Sequence, residues 1–396
     1  MKIAVIGGGA AGLTAAIFAK RTNSAAAVTV FESNDRVGRK ILSTGNGRCN
    51  LSNVDIAARH YITEDPAFVE AALKGRAFDF VRDFFASIGV PLMTEEGRAY
   101  PRSMRAGAVS DALRFECARL GVDLHLNSRV KSIAALRGRF TVDDEMFDRL
   151  IIATGGKAAP TLGSDGLGLK LAAGLGHKVY ETYPALVQLR VLDCDKSLKG
   201  IRAHARASAI VHGESVREEV GEVQFTDYGL SGVPIMQLSS LFRGDMDIAL
   251  DLLPERDFTS LADELVTLSD RCGDLPLCDF MGGYLHKNLT RRAAVGAGLD
   301  PMAKAGQLTL RELKQLASAV KNMKFRVVGT NSWPNAQTTR GGVDTREIDP
   351  KTMRSKLFGG LYFAGEVVDV CGDCGGYNLH WAWISGAMAG ENAAKE

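Results

Sequence analysis

The sequence has no excess of either charge. Lys and Arg number 48 against 46 Asp and Glu, for a net charge of +2. No basic stripe is present, so the electrostatic footprint of a nucleic-acid binder is missing and no nucleic-acid partner is expected. No apolar run is long enough to span a bilayer, so no membrane partner is expected either. Strand residues begin at Lys2, which leaves no room for a signal peptide, and a cytoplasmic location is expected. Cysteines are few: seven, scattered and odd in number, which reads as reduced thiols rather than a disulfide framework. The seven histidines are also scattered, no zinc spacing appears, and no metal site is expected. Internal repeats and low-complexity tracts are absent.

What is present is a large globular chain. Its 396 residues suggest two or three domains, and 46% apolar against 24% charged residues allow a sizeable core. The opening stretch MKIAVIGGGAAGLTAAIFAKR holds a short apolar run, Ile3 to Ile6, a glycine turn and a helical pattern through Leu13, Ala16, Ile17 and Lys20. AVTVFE then ends at Glu32. This is a βαβ unit. Gly7, Gly9 and Gly12 fit G-x-G-x-x-G around Ala10 and Ala11, and Glu32 follows Gly12 by twenty residues. Glycines at these places permit a tight turn and close backbone approach to a pyrophosphate. The helix N-terminus faces that anion, and the carboxylate can accept from ribose hydroxyls.

Further on, residues 66–90 and 106–121 read as helices. VDLHLNSRVKSI and GRFTVDDEMFDRLIIATGG read as strands that close on a second glycine turn at Thr154, Gly155 and Gly156. Residues 186–250 alternate apolar and polar, which predicts an antiparallel sheet or small barrel. Residues 257–320 carry helical spacing. From Phe325 strands return, and GGYNLHWAWISGAMAGENAA reads as a glycine-started helix. A dinucleotide domain interrupted by an insertion is expected, with 1–185 and 335–396 forming the cofactor domain. Residues 186–256 with 321–334 would form a barrel-like part, and 257–320 a helical part.

NAD and FAD share the first fingerprint. Glycine-bearing strand ends recurring at 153–156 and 364–366 favour FAD, whose flavin end needs further close backbone approaches. VIGGGAAGLTAA, GRKILSTGNGRCNLSN, IIATGG, FTDYGLSG and GLYFAGEVVDVCGDCGGYNLHWAWISG together resemble the bacterial family of predicted NAD(P)/FAD-dependent oxidoreductases. That family includes aminoacetone oxidase-like enzymes and enone reductases of bile-acid intermediates, and the resemblance covers nearly the whole chain. It implies an α/β fold: a Rossmann-like FAD domain of the glutathione reductase type, carrying a barrel and a small helical insertion.

It also implies site residues. Ser33, Arg39 and Lys40 would lie near the cofactor backbone. Gly45, Gly47, Arg48 and Asn50 would run beside the flavin, and Val130 would touch adenine. Ala153, Thr154 and Gly155 would form the second strand-end turn. Gly365, Glu366 and Asp369 would serve the ribityl chain. Gly376, Asn378 and Leu379 would open the last helix toward the flavin's N1 and O2. Cys49, Trp381 and Trp383 read as packing residues. Cys371 and Cys374 have redox spacing, but Cys371 stands where the family usually has an acid, and a catalytic disulfide is not expected.

The activity implied is NADH- or NADPH-linked reduction of a small organic acceptor such as a conjugated enone. An amino-ketone oxidase and a non-turnover flavin sensor or RNA-modification accessory are the alternatives. No second nicotinamide fingerprint is visible. Arg48, Tyr228, Tyr377 and His380 are the candidate catalytic residues.

Overall fold

The computed structural model describes residues 1–395. Contacts group the chain into two units: Met1–Ala185 with Trp333–Glu396, and Leu186–Ser332.

The first unit is built on a five-stranded parallel sheet. Lys2–Ile6 lies at its centre, with Ala27–Phe31 and then Asp123–His125 on one side, and Arg149–Ile152 and then Leu361–Phe363 on the other. The register pairs Ile3 with Val28 and with Arg149, and Leu150 with Leu361. These strands read as continuous apolar runs because both faces are covered, and Ile3 to Val5 are fully buried. Two helices share one face, Ala10–Thr22 and Tyr377–Lys395. They approach backbone to backbone: a Cβ on Gly386 would stand 2.4 Å from Ala11 O, and one on Gly390 2.1 Å from Ala15 O. The sheet thus joins strands more than 300 residues apart, and the unit is one core despite its interruption.

The expected helix over 66–90 is two helices, Pro66–Leu73 and Phe78–Ser87. The break falls at Gly75, whose φ of +75° no helix accommodates. Smaller antiparallel pieces surround the sheet. Ser52–Asn53 pairs with Arg98–Pro101, and Tyr61–Ile62 pairs with Cys371–Gly372.

The second unit contains a closed six-stranded antiparallel barrel. Strand Arg202–Val211 shows why the alternation was legible: Ala205, Ala207 and Ala209 are fully buried, while His204, Arg206 and Ser208 alternate with them. Helices Phe258–Cys272, Lys287–Gly296 and Leu310–Lys321 contribute Leu261, Leu265, Leu289, Leu313 and Leu316 to the same core. The last of these opens on a capping box, in which Glu312 N donates to Thr309 Oγ1 and Thr309 N donates to Glu312 Oε2.

Candidate functional site

The fingerprint glycines do different work. A Cβ on Gly7 would lie 2.5 Å from Ala153 O, and one on Gly12 1.8 Å from Gly7 O. These two are required by the protein's own packing. At Gly9 no heavy atom stands within 4 Å of the Cβ position. Gly9 caps the helix Ala10–Thr22 without any side-chain bond, so the first-turn amides of Ala10, Ala11 and Gly12 face the open side. Glu32 is buried at the end of the second strand and organises its own turn. Its Oε2 accepts from Gly8 N at 2.9 Å, and its Oε1 from Asn34 N at 2.8 Å, Asn34 Nδ2 at 2.6 Å and Ser33 Oγ at 3.3 Å. Arg39 Nη1 donates to Asn34 Oδ1 at 2.8 Å, which ties Arg39 to the same network. Oε2 retains room for a further donor. Buried Val130 follows residues 127–128, whose amides donate to Asn34 O and Glu32 O. Ala153 N donates to Ile6 O, which brings Ala153, Thr154 and Gly155 under the fingerprint turn.

The segment after Arg39–Ser43 is irregular. Asn46 and Cys49 adopt φ of +55° and +60°, unusual for residues with side chains. Gly47 has open space around it. The Arg48 guanidinium lies over the Tyr100 ring at 4.9 Å. The Asn50 side-chain oxygen is buried and has no hydrogen-bond partner among the described residues. Lys40 Nζ pairs with Glu366 Oε2 at 2.7 Å, and Glu366 Oε1 accepts from Thr339 N at 2.9 Å. Cys49 is fully buried, and burial pushes its thiol up to about 12, as expected of a packing residue.

The C-terminal segment closes on these loops. Gly365 N donates to Ser385 Oγ at 2.9 Å, and Trp381 Nε1 donates to Gly365 O at 3.1 Å. Trp383 Nε1 donates to Leu51 O at 3.0 Å, so both tryptophans are core residues. A Cβ on Gly376 would lie 2.4 Å from Ser52 O and 2.8 Å from Asn50 Oδ1. The helix that begins here therefore abuts the Asn50 loop directly. The Asn378 side chain is taken up by the chain itself: its Oδ1 accepts from Gly372 N at 2.8 Å and its Nδ2 donates to Gly372 O at 2.7 Å. Leu379 packs on the core. Asp369 is buried and accepts from Glu64 N at 3.1 Å. Cys371 and Cys374 form no disulfide, and burial pushes the Cys371 thiol up to about 12.

Of the candidate proton donors, His380 is corrected by the structure. Its Nε2 donates to Arg76 O at 2.9 Å, and its Nδ1 accepts from Ser52 Oγ at 2.8 Å. It is fully buried and has no free nitrogen, so it fastens the helix rather than serving a substrate. Tyr228 belongs to the barrel unit, where its carbonyl accepts from Val191 N at 3.1 Å. Tyr377 starts the last helix and is buried.

Sequence reasoning missed two clusters. His60 lies between Asp55 and Asp373, with Nε2 at 3.0 Å from Asp55 Oδ2 and Nδ1 at 3.3 Å from Asp373 Oδ2. His177 lies between Glu347 and Ser355, at 2.9 Å from each. The second has the partner order of a Ser-His-Glu triad. Ser355, however, is buried, and its Oγ accepts from the amides of Leu357 and Phe358 at 3.0 Å each, so it works as a loop fastener. Partners separated by hundreds of residues leave no short-range signal.

A model of the HI0933-like protein Rossmann domain matches residues 1–392. The chain belongs to the HI0933-like family. It is an FAD-dependent oxidoreductase with a Rossmann-type nucleotide-binding fold. Among the relatives of this chain, a Clostridium scindens protein named 3-dehydro-bile acid delta(4,6)-reductase is 38% identical over 405 residues, covering 100% of this chain and 99% of its own. A Haemophilus influenzae protein named ribosomal RNA dihydrouridine synthase is 31% identical over 394 residues, covering 96% and 95%. The crystal structure of 3-ketosteroid delta1-dehydrogenase from Sterolibacterium denitrificans, in complex with 1,4-androstadiene-3,17-dione, aligns with a TM-score of 0.51 at 12% identity. It covers 99% of both chains and shows a shared fold. No described helix is long and apolar enough to cross a membrane.

Proposed function

We propose that this HI0933-like protein reduces a carbon–carbon double bond conjugated to a carbonyl, with NADH or NADPH as the electron donor. The observation that carries the reading is the full-length similarity to a protein named as a delta(4,6)-reductase of 3-dehydro bile acids. The residues present suit FAD. Gly9 leaves open the space a pyrophosphate would fill, and the first-turn amides of the helix it caps face that space.

The amides of Gly9 to Gly12 would hold the pyrophosphate, and Glu32 the ribose through its remaining acceptor site. Val130 would cover adenine. Ser33, Arg39 and Lys40 would line the cofactor's backbone, and Gly365, Glu366 and Asp369 its ribityl chain. Gly47, Arg48, Asn50 and the first-turn amides of Gly376, Asn378 and Leu379 would surround the flavin; Ala153 to Gly155 would support the turn from below. Bound FAD supplies hydride transfer and accepts electrons in pairs. The protein's own part is to bind, to orient and to hold protons. A helix N-terminus of this length favours negative charge developing at its end.

A second reading rests on the relatives named as ribosomal RNA dihydrouridine synthases. The uracil double bond is also conjugated to a carbonyl, so the same bond chemistry would serve an RNA substrate despite the even charge of the chain. The test is anaerobic stopped-flow reduction of the flavin-loaded protein by NADH and NADPH. Mixing with a 3-dehydro-delta(4,6) bile acid, cyclohex-2-enone or unmodified ribosomal RNA follows. Reoxidation by the steroid supports the first reading. A uridine that gains two hydrogens, with the steroid inert, establishes the second. Flavin reduction only by amino-ketones, with peroxide formed once oxygen is admitted, would sink both.

A further inference from the structure

Reduction of a conjugated double bond needs a proton as well as a hydride, and the start of the last helix offers a source. Tyr377 is 6% exposed, yet its hydroxyl makes no hydrogen bond to any described residue. Buried phenols normally find a partner. The oxygen is also not among the sealed, unsatisfied atoms, so a ligand can reach it.

The ring is fixed from two sides. The His60 imidazole stacks on it at 4.4 Å and 19°, and Tyr61 meets it edge-on at 6.0 Å. His60 is itself clamped by Asp55 and Asp373, and Arg59 Nη2 donates to the same Asp55 Oδ2 at 2.6 Å. The backbone locks the same region: Asp373 N donates to His60 O at 2.8 Å, and Tyr61 OH donates to Tyr377 O at 3.2 Å. One residue before the tyrosine, Gly376 abuts Asn50.

We propose that Tyr377 donates the proton that completes reduction of the conjugated substrate, and that His60 is its positioning residue. The inference rests on the conjugate-reductase reading above. Bound FAD would supply the hydride to the β-carbon, which leaves an enolate. The Tyr377 O–H bond then breaks as a C–H bond forms at the α-carbon and the carbonyl closes. Solvent returns a proton to the phenolate, and a dihydronicotinamide-class donor restores the two electrons. Burial, together with Asp55 and Asp373, pushes the phenol up to about 12 against the opposing Arg59 and Arg98, so the proton is in place at neutral pH.

The experiment compares flavin-loaded wild type, Tyr377→Phe and His60→Ala. Each is reduced anaerobically with dithionite, then mixed with the 3-dehydro-delta(4,6) bile acid and with cyclohex-2-enone. Tyr377→Phe is expected to keep FAD content, visible spectrum and reducibility, while reoxidation by the enones slows by roughly 10²–10⁴-fold. Phenolate absorbance, read as wild type minus Tyr377→Phe, gives the titration of residue 377 without turnover. His60→Ala should move that titration and slow reoxidation, and a titration that stays in place removes His60 from the proposal. If Tyr377→Phe fails to hold FAD, fluorotyrosine at 377 keeps the shape and acidifies the phenol. The alkaline limb of reoxidation must then move down in pH, and an unmoved limb overturns the proposal. Reoxidation of Tyr377→Phe within about threefold of wild type overturns the tyrosine assignment alone. A wild type that reduces neither enone overturns it together with the function it rests on.

Discussion

His380 gives the fold a pH signature that can be worked out in advance. Nε2 donates to the Arg76 carbonyl, so Nδ1 must be the acceptor from Ser52, and the ring is neutral. Burial lowers its pKa from 6.5 to about 4. Between those values the unfolded chain binds more protons than the folded one, so stability rises with pH across that window. The contribution is complete above about 6.5 and disappears as pH falls toward about 4. At 1.36 kcal/mol per unit the whole span is worth about 3 kcal/mol, of which about 2 lies between pH 7 and 5. In a unit of about 250 residues this corresponds to about 4 °C of Tm. The assay is the thermal midpoint of wild type and His380→Gln from neutral pH downward. Gln keeps one donor and one acceptor but does not titrate. Other groups, His177 included, are common to both proteins, so the difference isolates His380. Its advantage over Gln should shrink by about 4 °C between pH 7 and 5. A difference that is flat with pH would refute both the tautomer and the burial argument.

Two glycines of the fingerprint should fail in opposite ways. Gly9→Val is expected to fold, since its Cβ meets nothing, but to lose FAD, because the side chain fills the space of the pyrophosphate. Gly12→Ala is expected to lose the fold itself, its Cβ falling 1.8 Å from Gly7 O. Far-UV circular dichroism and flavin content per chain separate the two, and a yellow Gly9→Val protein would disprove the placement. Anaerobic dithionite titration should take up two electrons per flavin and no more, in wild type and in Cys371→Ser alike, because the buried Cys371 thiol resists ionisation. A further pair of electrons, lost in Cys371→Ser, would reveal a dithiol relay.

Much of the cofactor domain was legible because its signals are local. The apolar run Ile3 to Ile6, the glycine turn, the helix and Glu32 lie within one stretch, and their order carries the meaning. The barrel was legible for the same reason, since alternation along Arg202–Val211 reports one buried face. The break at Gly75 shows the limit, because residues on either side keep helical spacing and only the backbone conformation divides them. Glu32 shows another. The sequence marks it as a ribose acceptor, but nothing in it says that Gly8, Ser33 and Asn34 take most of the carboxylate's bonding capacity. His380 reads in the sequence more as a helix residue satisfied by backbone than as a catalytic one, but nothing there names Ser52 and Arg76 as its partners. The His60 clamp draws on Asp373, which becomes a neighbour only when Tyr61–Ile62 pairs with Cys371–Gly372.

That pairing explains how a site assembled from two ends of a chain is held to the tolerance chemistry needs. The loop around Asn50 has irregular backbone, and its internal backbone hydrogen bonds stop at Cys49, so residues 50–53 do not set their own geometry. Its position is imposed by the last helix. Asn53 Nδ2 donates to Gly375 O at 3.0 Å, Ser52 bonds His380, Trp383 reaches Leu51 O and Gly376 fills the remaining gap. Each contact joins residues 51–53 to residues 375–383, and each uses a buried or half-buried group whose loss would leave a partner unsatisfied. The helix is fixed in turn by the close backbone approach of Gly386 and Gly390 to the fingerprint helix. One rigid path therefore runs from the pyrophosphate turn, through two packed helices, to the Asn50 loop and the Tyr377 ring. Substitutions along that path far from any ligand should disturb the geometry at both ends together, whereas changes on the exposed side of Asp55 should leave the pyrophosphate end untouched.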